Sequence, residues 1–306
     1  MALLRRTISA VVILGTVALV MFVLPSIVGV AVLFAMAVFS LLEFYSILKN
    51  AGIPAFRILG VIVGVAMLAS TYISLNIQVF TGEHPNGIWK EFPLLVLVLI
   101  VFILFIRQFP QKSNPQPLPT ISCTMLGLFY VPFLIMFFFF LAFRWTPTAP
   151  LSPLSPTARW LLLYIVVVVK FSDIGAYAVG SLIGRHKLFP RISPGKTWEG
   201  LAGGLATGIL ASVLFARLAH SPDAAPGTAL FGRLVIGHNH AWFLGGFLAS
   251  IGVLGDLVES LLKRSAGMKD SGRLFPGMGG ILDVLDSLLF AAPALYFYLR
   301  WFAHVI

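Results

Sequence analysis

Residues 120–143 read TISCTMLGLFYVPFLIMFFFFLAF, a run of 24 positions without one charged side chain. The hydrocarbon core of a bilayer needs about 20 consecutive apolar residues per helix. A water-facing helix of that length would carry a polar stripe, and this one has no charge to make it. Outward from this run, further apolar stretches lie near 7–24, 27–47, 57–76, 92–106, 160–183, 201–219, 242–262 and 281–302. The 92–106 stretch is short for a span, and Pro25 sets a tight turn that folds the first two into a hairpin. The pattern predicts an all-α integral membrane protein with about nine transmembrane helices.

Composition agrees. The chain is 59% hydrophobic and only 10% charged, with a mean hydropathy of +0.98. Soluble domains carry about 25% charged residues, so a soluble globular protein is excluded. Arg5 and Arg6 precede an apolar run from Ile8 to Leu24. That run exceeds the roughly 7–15 residues of a signal-peptide core and is read as the first span. Cys123 is the single cysteine, which rules out an intrachain disulfide.

The net charge of +10 would point to nucleic acid in a soluble protein. In a membrane protein it reflects cationic loops against an anionic lipid surface, and no nucleic-acid partner is expected. With the N-terminus inside, 14 of the 21 Lys and Arg fall in cytoplasmic segments, among them Arg5, Arg6, Arg185, Lys187, Lys263 and Arg264. This bias predicts an N-in, C-out, multi-pass protein of the cell membrane. The Pro-rich segments 107–119 and 144–159 divide the chain into an N-terminal region, 1–159, and a C-terminal region, 160–306.

The 11 acidic residues are unevenly placed. Glu83, Glu91 and Asp223 sit in outer loops, and Glu43 lies near the inner end of the second span. The remaining seven, Asp173, Glu199, Asp256, Glu259, Asp270, Asp283 and Asp286, all belong to the C-terminal region. A carboxylate at the centre of a span costs about 2.5–3.5 kcal/mol on insertion scales, so such groups are kept where they pair, line water or bind an ion. Asp283 and Asp286 are three residues apart and share a helix face. Asp256 and Ser260 are four apart, with Lys263 three further on.

Between these stripes runs KRSAGMKDSGRLFPGMGG, residues 263–280. Its glycines let backbone N–H groups approach phosphate, and its Lys and Arg side chains form charge-assisted bonds to phosphate oxygens. Gly279 and Gly280 open the last helix, whose N-terminus favours anions. Carboxylates just beyond it suit Mg²⁺, which binds through one or two carboxylates and substrate phosphates. The active site is therefore expected at the cytoplasmic ends of the C-terminal helices.

A second polar loop, RHKLFPRISPGKTWEG, covers 185–200. Gly195-Lys196-Thr197 is not a P-loop. The pattern needs glycine where Pro190 stands, and a strand where a span precedes. Lys196 and Thr197 remain candidate phosphate contacts. Gly200, Gly204 and Gly208 follow at the spacing of close helix packing. Lys170 and Asp173, three apart, either neutralise each other or join the site. His238 and His240 lack a third ligand nearby in sequence and are not read as a metal site.

Residues 255–286 resemble the phosphatidate cytidylyltransferase (CDP-diacylglycerol synthase) family. Ser260, Lys263-Arg264, Lys269-Asp270, Pro276-Gly277, Gly279-Gly280, Asp283 and Asp286 match its motif in order and spacing. Asp173-x-Gly-Ala-Tyr177 and Ser193-Pro194-x-Lys196-Thr197-Trp198-Glu199-Gly200 match a second one. The chain departs from the pattern at Met278, Val284 and Gly195, where the family carries His, Arg and Lys. The resemblance implies transfer of CMP from CTP to phosphatidate. It implies metal ligation by Asp256, Asp283 and Asp286, with Mg²⁺ as cofactor and a second metal or a monovalent cation left open. Ser260, Lys263, Arg264, Lys269 and Asp270 would be catalytic, Lys196, Thr197, Gly279 and Gly280 would hold nucleotide, and the protein would form a homodimer. Two other readings of the same residues stay open: a CTP- or ATP-dependent lipid or polyprenol kinase, and an ion-coupled transporter.

Overall fold

The computed structural model describes residues 15–82, 88–109, 114–146, 148–219, 228–231, 234–272, 274–275, 279–302 and 304–305. Among them, eight helices are long and apolar enough to cross a membrane. The first predicted span, 7–24, falls partly outside the described residues; within it, 15–22 are helical and are called α1.

The chain divides into two compact units. The first holds Met1–Leu154 and Ser265–Val284. Its helices are α2 (Ser26–Asn50), α3 (Arg57–Thr81), α4 (Ile88–Gln108), α5 (Pro117–Tyr130) and α6 (Pro132–Phe143). The predicted fourth span proves full length despite Pro93, and the Trp89 carbonyl that its missing N–H leaves free accepts from Ser74 Oγ at 2.8 Å. The predicted span at 120–143 is instead broken in two. Pro132 has no N–H to donate, and the break falls at Val131, a turn residue with φ −105° and ψ −76°. The two pieces still count as one crossing, Pro117–Phe143.

Packing in this unit is tight where glycine permits it. A Cβ on Gly64 would lie 2.7 Å from Leu41 Cδ1 and 3.2 Å from Pro132 Cγ, so glycine lets α3 approach α2 and α6. Val63, Met67, Ile100, Leu104 and Leu128 form a buried cluster. On α4 only Ile100 and Leu104 are buried, while Leu95, Phe102, Phe105 and Ile106 are exposed. So large an unburied apolar face is stable in lipid and not in water.

The second unit holds Ser155–Arg264 and Leu285–Ile306. It contains α7 (Pro156–Ile183), β1 (Lys187–Phe189), β2 (Ser193–Thr197), α8 (Trp198–Leu218), β3 (Thr228–Phe231), β4 (Leu234–Gly237), α9 (His238–Ser265), β5 (His304–Val305) and most of α10 (Ile281–Phe302). The small-residue stripe of α8 does the packing expected of it. A Cβ on Gly204 would sit 3.0 Å from Ala176 Cβ, and one on Gly208 would sit 2.9 Å from Ala249 Cβ. Ser212 extends the stripe, donating to the Ala241 carbonyl at 2.6 Å and meeting the Tyr164 hydroxyl at 2.7 Å. Thus α8 is wedged between α7 and α9. Residues 187–197, read as loop from sequence, are an antiparallel hairpin with Lys187 opposite Thr197. Alternating polarity is short there and interrupted by Pro190 and Pro194, so no strand was legible.

Candidate active site

In the second unit, three helices bring carboxylates and cations together. Lys196 leaves the end of β2 and pairs with Asp256 of α9, Nζ to Oδ2 at 2.9 Å, while also donating to the Val253 carbonyl at 3.3 Å. Ser260 donates to the other oxygen of Asp256 at 3.2 Å, as four-residue spacing on a helix requires. Lys170 pairs with Asp173 on α7 at 3.4 Å. Asp286 of α10 is buried and lies within electrostatic reach of Lys170, Asp256 and Asp173. One turn along α9, Lys263 pairs with Glu259, both of them buried.

The approach of α9 to α10 is set by Gly255. A Cβ there would lie 2.5 Å from the Asp286 carbonyl oxygen and 3.2 Å from Ser287 Cα. Glycine is needed so that the Asp256 and Asp286 backbones can come this close.

Other candidates have structural partners. Thr197 is buried and caps α8, its hydroxyl accepting from the Gly200 N–H at 3.1 Å. Thr197→Ala is therefore expected to lower stability by about 1 kcal/mol. A thermal melt checks the loss, and an unchanged melting temperature would argue for a ligand contact instead. Glu199 closes the hairpin by accepting from the Arg185 N–H at 3.1 Å and meeting His186 Nδ1 at 2.5 Å. Arg264 Nε donates to the Ile192 carbonyl in the hairpin turn at 3.4 Å.

The first unit holds the other half of the motif. Lys269 and Asp270 are exposed. Gly279 adopts φ 96°, which only glycine tolerates easily, and bridges to Phe275. Asp283 caps its own helix: Oδ2 accepts from Gly280 N–H at 2.7 Å, Ser271 N–H at 2.9 Å and Ser271 Oγ at 2.7 Å. Glu43 of α2 accepts from Ile281 N–H at 3.1 Å and Leu282 N–H at 2.8 Å. The helix N-terminus read as a phosphate cradle at Gly279 and Gly280 is thus filled by the protein's own carboxylates. Sequence reasoning had left Glu43 unassigned. Its one signal was a carboxylate inside an apolar span, which needs a partner. Arg273 and Pro276–Met278 lie outside the described residues.

Among the described residues, no three His, Cys, Asp or Glu side chains come close enough to hold one ion. The donor chemistry nevertheless fits a hard cation. Asp256 and Asp286 in the second unit and Asp283 in the first each offer carboxylate oxygens, the ligand type Mg²⁺ takes.

Fold and site together define an all-α, multi-pass membrane protein that gathers carboxylates, lysines and a serine in its second unit. The model of the cytidylyltransferase family matches residues 4–302. The chain belongs to that family. It is 43% identical over 142 residues to a phosphatidate cytidylyltransferase of Bacillus subtilis, a match covering 46% of this chain and 48% of that one. The corresponding protein of Haemophilus influenzae is 42% identical over 140 residues, covering 45% and 46%. That of Mycobacterium bovis is 34% identical over 218 residues, covering 68% and 62%. The chain spans about half the length of the first two relatives and less than two thirds of the third.

Proposed function

We propose that the protein transfers CMP from CTP to phosphatidate, giving CDP-diacylglycerol and pyrophosphate. The observation that carries this reading is the Lys196–Asp256–Ser260 contact, with Asp286, Asp173 and Lys170 within electrostatic reach of it. Family membership and the names of the relatives support it.

In this reading a phosphate oxygen of the lipid attacks the α-phosphorus of CTP, and pyrophosphate leaves. No covalent enzyme intermediate is required, so the protein's task is positioning and charge neutralisation. Lys196, Lys263, Arg264 and Lys269 bind phosphate oxygens through charge-assisted hydrogen bonds. The buried Glu259 fixes Lys263 in place. Ser260 orients Asp256, and Asp270 orients the neighbouring Lys269. Asp256, Asp286 and Asp283 are the residues proposed to hold Mg²⁺. When bound, Mg²⁺ shields the phosphate charges and the charge that develops on the leaving group.

The Lys and Arg bias supports a cell-membrane protein with this site on the cytoplasmic face, where CTP is dissolved. The acyl chains remain in lipid, so the site opens sideways toward the bilayer. Association as a homodimer belongs to the same proposal.

Purified protein with CTP, phosphatidate and Mg²⁺ is expected to release pyrophosphate only when all three are present. Release of nucleoside diphosphate would instead identify a lipid kinase, and neither product would be expected of a transporter. Within this reading, Lys196→Met removes one phosphate contact and the partner of Asp256. A rise in the KM for CTP of about tenfold or more is expected, and an unchanged KM would remove Lys196 from the nucleotide site.

A further inference from the structure

Glu43 stands in an apolar span, far in sequence from every motif residue, yet it contacts the start of the helix that carries Asp283 and Asp286. Its carboxylate accepts from the N–H groups of Ile281 and Leu282, at 3.1 and 2.8 Å, across a separation of 238 residues for Ile281. These are first-turn N–H groups of α10, which have no partner within the helix. Glu43 also faces Ser271 Oγ at 3.1 Å, and the same hydroxyl lies 2.7 Å from Asp283 Oδ2. A hydroxyl has one proton and donates to one carboxylate at a time. Ser271 therefore links the two acids directly.

Space around the carboxylate is closed as well. A Cβ on Gly272 or on Gly280 would run into Glu43, so both glycines are shaped to admit it. Ser271 is buried and Glu43 is half-buried. A charge held there must be matched by fixed donors, and the helix N-terminus supplies them.

We infer that Glu43 is a positioning residue for the proposed transfer reaction: it latches the first turn of α10 and, through Ser271, sets the orientation of Asp283. The inference rests on the reading of Asp283 as part of the phosphate- and metal-handling site. The hydrogen bonds of Glu43 run to the Ile281 and Leu282 N–H groups and to Ser271 Oγ. Its role is to fix the pitch of the turn that carries Asp283, because small misplacements of a positioned group are costly to rate.

Three variants separate this from a cap that merely holds the fold: Glu43→Ala, Glu43→Gln and Ser271→Ala. The readouts are kcat and the KM for CTP per folded protein, the thermal melt, and hydrogen exchange at the Ile281 and Leu282 amides without added metal or substrate. Glu43→Ala is expected to speed exchange at those amides about tenfold. It should lower kcat on the order of 10²-fold while the KM for CTP stays within about twofold. Glu43→Gln keeps a carbonyl acceptor and should recover part of both losses. Ser271→Ala leaves the bonds from Glu43 to the backbone intact, so amide protection should hold while kcat still falls.

If Glu43→Ala does not fold, the other two variants decide the matter. Wild-type kcat in both Glu43→Gln and Ser271→Ala overturns the inference, as does unchanged amide protection in Glu43→Ala. A purely structural cap would lower the melting temperature and leave kcat per folded molecule unmoved. Wild-type protein that transfers no CMP would sink the proposed reaction itself, while faster exchange in Glu43→Ala would still show the latch.

Discussion

Asp286→Asn is expected to abolish the proposed CMP transfer, with a loss of at least 10²- to 10³-fold in kcat, the scale seen when one preorganised charge-stabilising group is removed. The expectation follows from where the carboxylate sits. Asp286 is buried on α10 and meets the fields of Lys170, Asp256 and Asp173. Asparagine keeps the size and hydrogen-bonding capacity but removes the charge, so membrane insertion and helix packing should survive. The checks are expression level, the thermal melt and the rate with labelled CTP. Asp256→Asn is expected to behave alike and to release Lys196 from its 2.9 Å pairing. Wild-type rates in either variant would remove that residue from the proposed site.

The second large effect belongs to a residue with no functional group. Gly255→Ala would place a methyl carbon 2.5 Å from the Asp286 carbonyl oxygen and 3.2 Å from both the Asp286 carbonyl carbon and Ser287 Cα. All three are backbone atoms and cannot swing aside as a side chain would. Either α10 shifts relative to α9 or the strain remains, and overpacking of this kind costs about 1–3 kcal/mol. Because Asp256 follows Gly255 directly, a shift also separates Asp256 from Asp286. Activity should fall by about tenfold or more, beyond any loss in folded fraction. A melt and a kcat measurement on the same preparation separate the two contributions. Activity that falls only in proportion to the folded fraction would show that helix spacing here is a matter of stability alone.

The fold was legible because the bilayer makes an unusually simple demand. Runs such as 160–183 and 281–302 have one reading once backbone polar groups must be satisfied without water. The helices α7 (Pro156–Ile183) and α10 (Ile281–Phe302) cover them closely. Breaks inside a run are another matter. Pro132 interrupts the 120–143 stretch, whereas Pro293 sits inside an uninterrupted α10. Composition does not distinguish the two, because neighbouring side chains decide whether the freed carbonyl finds a partner.

Local spacing served the site equally well. The Ser260–Asp256 and Lys170–Asp173 contacts follow from helix periodicity. The contact of Lys196 with Asp256 was not legible, since a hairpin, itself unread, turns the lysine toward α9. Glu43 could be placed only near the inner end of the second span, and its partners could not be read. Two of its partners are backbone N–H groups, which leave no mark in a sequence, and the third is the Ser271 hydroxyl, 228 residues away. The sequence reading expected a phosphate at the helix N-terminus opened by Gly279 and Gly280; the carboxylates of Glu43 and Asp283 accept from the N–H groups there, since physical chemistry at such an end selects charge and not source. A glutamate from α2 satisfies it as well as a phosphate would.

The most direct test of the central claim follows the fate of each phosphorus atom of CTP. Two samples of CTP, one labelled at the α-phosphorus and one at the γ-phosphorus, are incubated separately with the purified protein, phosphatidate and Mg²⁺. The account predicts α-label in the organic phase and γ-label in pyrophosphate. The γ-label in the lipid, or both labels left in unreacted CTP, would contradict it.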